Sequence, residues 1–102
     1  MAAYAWLEQE VRDLLDVGSV GLYELFELLR SSEFQLADAE MSSLSRGVAR
    51  DLVTNGRAEI CLLRWPKDDV IDGPLPVTVL DEDESWERLP DDLYFALVPR
   101  QE

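Results

Sequence analysis

Residues 38–65, DAEMSSLSRGVARDLVTNGRAEICLLRW, carry the transition on which the fold turns: an amphipathic helix, an abrupt stop and a strand. Projected at about 100° per residue, Met41, Leu44, Val48 and Leu52 form one stripe, with Ala39, Ser43, Arg46 and Arg50 opposite. Asp38 is placed to cap this helix, and Asn55-Gly56 supplies the stop after Thr54. Gly47 costs about 1 kcal/mol relative to alanine inside a helix, so it reads either as a close approach to a neighbouring backbone or as a tolerated glycine. From Arg57 to Trp65 the period becomes two. Ala58, Ile60 and Leu62 alternate with Glu59, Cys61 and Leu63, and the run ends before Pro66.

Towards the N-terminus, Leu7, Val11, Leu14 and Leu15 predict a helix over about Ala3 to Asp16, with Glu8, Arg12 and Asp16 outward. Gly18 interrupts it. Ser19 is the expected cap of a second helix to Arg30, with Leu22, Leu25, Phe26 and Leu29 inward and Glu24 and Glu27 facing water. Ser31 to Ala37 lacks helical period and reads as a connecting loop. Beyond Pro66, Lys67-Asp68-Asp69 and Asp72-Gly73-Pro74 are turn chemistry, and Val77 to Leu80 reads as a short second strand. Asp81 to Arg88 is expected to form one or two helical turns with Trp86 docked inward, and Leu93 to Val98 to close the sheet antiparallel to the strand after the third helix.

The 102 residues amount to one domain's worth of chain, so residues 1–102 are read as a single domain. A composition 47% hydrophobic and 30% charged is globular rather than disordered. No apolar run approaches the ~20 residues of a membrane span, and the start of the chain lacks a signal-peptide pattern, so a cytoplasmic protein is expected. Cys61 is the only cysteine, which excludes an internal disulfide and a cysteine-rich zinc site.

Three helices, the Asn55-Gly56 turn, a strand, a loop and a returning strand resemble the winged helix-turn-helix superfamily. The resemblance lies in element order, centred on Met41 to Trp65 with Leu93 to Val98. It implies an α+β, winged-helix-like fold: three N-terminal helices followed by a small antiparallel sheet with an acidic insertion, the stretch after Trp65 being the wing. It also places the third helix where DNA readers carry their recognition helix. The connection before that helix is longer than the usual turn of about 3–4 residues.

Charge points away from DNA. The formal net charge is -13, whereas phosphate contact needs the opposite sign. Residues 38–57 are neutral, with three acids and three arginines, while residues 81–102 carry eight acids and two arginines. A regulator reading DNA as a homodimer would rely on Ser43, Arg46 and Arg50, with Arg57 as a further phosphate contact. The bland alternative for these arginines is pairing with neighbouring acids. Asp81, Glu82, Asp83, Glu84, Glu87, Asp91 and Asp92 form either a solvated surface or a patch that steers a basic protein partner, with Trp86, Trp65 or Tyr94 as contact area. A calcium loop starting at Asp81 lacks the glycine at its sixth position. A third possibility is self-association through the first helix with Trp6 and Leu28.

Catalysis finds no support. Without histidine neither a Ser-His-Asp nor a Cys-His arrangement can form, and Cys61 reads as a buried small hydrophobe. No phosphate-binding loop, nucleophile elbow or metal motif occurs, so neither cofactor nor metal is expected. The leading expectation is an acidic, non-enzymatic protein-interaction module, such as an inhibitor or an immunity- or antitoxin-like protein that covers a basic partner. The alternative is the winged-helix DNA-binding regulator.

Overall fold

The computed structural model describes residues 2–100. Helix α1 spans Ala2–Leu15, strand β1 Val20–Gly21, helix α2 Leu22–Arg30 and helix α3 Asp38–Thr54. Strand β2 spans Ala58–Arg64, β3 Asp69–Leu75 and β4 Leu93–Pro99, with 3-10 turns at Val77–Asp81, Asp83–Trp86 and Pro90–Asp92 between the last two strands. The result is an α+β fold of three helices and a four-stranded antiparallel sheet in the order β1-β4-β2-β3.

The inward stripes foreseen for the helices make the core. Leu7 and Val11 from α1, Leu22, Leu25 and Leu29 from α2, and Val48 and Leu52 from α3 are wholly buried against Ile60 of β2 and Leu97 of β4. Each such side chain contributes roughly 1.5–3 kcal/mol by leaving water. On α3 the buried stripe is rotated slightly from the projection: Met41, Ser45, Val48, Ala49 and Leu52 are buried, and Leu44 is half-buried. Small side chains at 45 and 49 let α3 lie close to its neighbours. Gly47 marks the contact with α1, where the Tyr4 hydroxyl donates to the Gly47 carbonyl at 3.3 Å.

Four local expectations need correction. Ser19 does not cap α2, because Val20 and Gly21 first pair with Leu97 and Ala96 of β4, and Gly21 takes the cap position. Asp38 is the first residue of α3 rather than its cap; the cap position is Ala37, whose N–H donates to the Glu40 carboxylate at 3.3 Å. The strand expected at Val77 to Leu80 is a 3-10 turn packed on α3, with Leu80 wholly buried.

The largest correction is that the second long strand is Asp69–Leu75, the segment read as turns. It is an edge strand, where aspartate, glycine and proline are tolerated. Two register shifts against β2 between Ile60 and Leu63 absorb its irregularity. Gly73, at φ +139°, brings β3 so close over β2 that a Cβ there would lie 2.7 Å from Cys61 Sγ. Only glycine fits that crossing.

Beneath the hairpin sits a second small cluster, formed by Cys61, Leu63, Tyr94 and Ala96 and flanked by Tyr23 and Val98. Cys61 is buried as expected, and burial first, then Glu59 and Asp72, pushes its thiol pKa up. No helix is long and apolar enough to cross a membrane among the described residues.

Candidate functional site: an arginine helix face closed by an acidic segment

The two sets of residues singled out from the sequence meet in space. The Val77–Asp81 and Asp83–Trp86 turns fold back along α3 and α2, carrying Asp81 and Asp83 to the outer arginines. Arg46 Nη2 donates to Asp83 Oδ1 at 2.6 Å and its Nη1 to the Asp81 carbonyl at 3.1 Å. Arg50 Nη2 donates to Asp81 Oδ1 at 2.6 Å. Both guanidiniums of the outward face are thus engaged within the chain. Ser43 stays exposed beside them.

Trp86 anchors the segment that carries these acids. Its Nε1–H donates to the Leu80 carbonyl at 2.9 Å, its ring meets Phe26 edge-on with centroids 6.3 Å apart, and 6% of its surface remains exposed. The Arg46 guanidinium lies over the same ring, 5.9 Å from its centre. The tryptophan therefore holds the acidic segment down and positions Arg46 at once. It is core, as its place inside a polar stretch predicts, rather than contact area for a partner.

Around this anchor, α2, α3 and the 83–88 segment enclose an open cleft of about 520 Å³ lined by Tyr23, Phe26, Arg46, Trp86 and Arg88 among others. Arg88 lies over Tyr23 at 5.5 Å. Burial raises the Tyr23 phenol and the Glu24 carboxyl above their usual ranges. Among the described residues no three acidic or cysteine side chains converge as a metal site requires.

The remaining acids fall into two groups that sequence order had merged. Glu82, Glu84 and Glu87 are exposed beside the Trp86 anchor, and among the described residues none forms an ion pair. Asp91 and Asp92 lie beside the turn of the β2–β3 hairpin instead, where the Asp92 carbonyl accepts the Trp65 N–H at 2.8 Å. Tyr94, the other aromatic considered for contact, is buried. Its hydroxyl donates to Asp68 in the hairpin turn, and burial together with that bond raises its pKa well above the usual phenol range. Trp6 packs edge-on against Phe34, and both Trp6 and Leu28 are half-buried against the core.

Comparison with known proteins gives no match to a family model, a curated protein or a solved structure.

One feature escaped the sequence reading altogether. Of the four large hydrophobic side chains exposed on the described surface, three cluster in the hairpin: Trp65 at 51%, Val70 at 58% and Ile71 at 45%. The signal was present as Val70-Ile71 between two aspartates, but reading that stretch as a turn concealed it.

Proposed function

We propose that this chain is an acidic protein-interaction module on a winged-helix-like scaffold that binds a basic partner in the cytoplasm, in the manner of an inhibitor or immunity protein. The element order and the return of β4 alongside β2 support the scaffold. One observation carries the function: Arg46 and Arg50, the residues a DNA reader would need, end on Asp83 and Asp81 at 2.6 Å. Turning them to DNA would break both pairs and bring phosphates against exposed Glu82 and Glu84. A cationic protein surface meets no such obstacle, and clustered charge of one sign accelerates encounter with the opposite sign.

The test uses acids that hold nothing inside the chain. The full chain is immobilised, partners are captured from its native host and identified by mass spectrometry, and capture is repeated with Glu82→Gln, Glu84→Gln and Glu87→Gln combined. A basic protein whose capture weakens with added salt and with these substitutions is expected. Recovery of nucleic acid, lost on Arg46→Ala and Arg50→Ala, would instead support the DNA-binding regulator.

A further inference from the structure

We infer that the β2–β3 hairpin is a docking surface for an extended segment of a partner protein with the pattern basic–apolar–apolar–basic. This rests on the reading of the chain as a binder of a basic partner. It places the sequence-selective contact on the hairpin, with the acids around Trp86 adding long-range attraction.

The exposed side chains define the surface. Trp65 in the turn and Val70 and Ile71 on β3 each leave about half of their surface exposed among the described residues. β3 is the edge of the sheet, and among the described residues no strand pairs with its outer side. Five aspartates, at 68, 69, 72, 91 and 92, lie in this hairpin or beside its turn, against Arg64 and Lys67. An apolar centre within a charged rim is the usual anatomy of a recognition site.

The order along β3 selects the occupant. Asp69-Val70-Ile71-Asp72 reads acid–apolar–apolar–acid from either end. Residues directly opposite on paired strands lie about 4.5–5.5 Å apart, and opposite charges there attract. The complementary segment is therefore cation–apolar–apolar–cation in either direction, and an arginine beyond it can reach the exposed Trp65 ring. A second copy of this chain fits badly. The antiparallel register that matches the apolar pairs sets Asp69 against Asp72 twice, and like charges directly opposite repel.

Fluorescence anisotropy at low ionic strength tests this with three labelled peptides: repeats of Arg-Val-Ile-Arg, oligoarginine of equal charge, and repeats of Ser-Val-Ile-Ser. The first is expected to bind about tenfold or more tighter than either control, as loss of the apolar or the charged contacts predicts. Val70→Ser with Ile71→Ser, or Trp65→Ser, should remove that advantage, while Glu82→Gln with Glu84→Gln should leave it. Amide shifts on titration should centre on residues 69–72. Equal binding of oligoarginine and the mixed peptide overturns hairpin docking but keeps the basic-partner reading. Binding of neither cationic peptide overturns both. Dimerisation in sedimentation that is abolished by Val70→Ser with Ile71→Ser would make the occupant a second copy, contrary to the inference.

Discussion

The segment from Val77 to Trp86 and the hairpin from Ala58 to Leu75 are both acid-containing excursions, yet they solve opposite problems. In the first, Asp81 and Asp83 are consumed by Arg50 and Arg46, and Leu80 and Trp86 are buried. In the second, aspartates surround apolar side chains left in water. An acidic stretch with a buried aromatic and internal cations is structural, whereas one with exposed apolar neighbours has its contacts still to make. The location of the apolar side chains, more than the number of acids, separates the two.

Removing the anchor should break this contrast most strongly. Trp86→Ala loses a buried ring, its hydrogen bond to Leu80 and the seat of Arg46, and should lower unfolding stability in urea by about 3–5 kcal/mol. Amide exchange at residues 77–86 should rise with it. A loss under about 1 kcal/mol would mean that the segment is not built on that ring.

The tie between sheet and hairpin comes next. Tyr94→Phe removes the bond to Asp68 and should cost about 1–2 kcal/mol. The pH dependence follows from the raised phenol: the folded chain holds a proton that the unfolded chain releases near pH 10. Stability from this group is thus complete below about pH 10 and declines as pH rises above it. Tyr23 shifts the same way, so denaturation midpoints across the alkaline range should fall less steeply for Tyr94→Phe while a slope remains.

Smaller effects sharpen the comparison. Arg46→Ala and Asp83→Ala, run as a double-mutant cycle, should yield a coupling of at most about 1 kcal/mol, since the Asp83 side chain is 98% exposed. That coupling should shrink with salt. Val70→Ser with Ile71→Ser should change stability by no more than about 0.5 kcal/mol per site, because both side chains lie at the exposed edge of the sheet. Gly47→Ala should stabilise by up to about 1 kcal/mol, since its Cβ would meet only Tyr4 Cε2 at 3.4 Å. A destabilised variant would show that α1 and α3 require the glycine.

Periodic segments were readable because burial repeats along them: Leu22, Leu25 and Leu29, then Val48 and Leu52, announced their helices, while β2 and β4 were legible as apolar runs bounded by turn residues, each burying positions on both faces. Asn55-Gly56 fixed the end of α3 for a local reason, the left-handed turn that Gly56 adopts at φ +73°. What failed was set by tertiary contacts. β1 exists only because β4 passes beside Val20 and Gly21, and β3 can hold Asp72, Gly73 and Pro74 because one side of it has no neighbour. The pairing of Arg46 and Arg50 was foreseen as pairing with neighbouring acids, but its partners lie more than thirty residues away, a distance no helical spacing reveals.

We propose that this chain faces proteins rather than DNA because its own acids occupy the arginines of α3. The most direct measurement is anisotropy of one protein sample against a labelled mixed-sequence duplex and a labelled Arg-Val-Ile-Arg peptide in the same low-salt buffer. The account predicts saturable binding of the peptide, weakened by salt, and no binding of the duplex. Saturable duplex binding that Arg46→Ala and Arg50→Ala abolish, with the peptide inert, would contradict it.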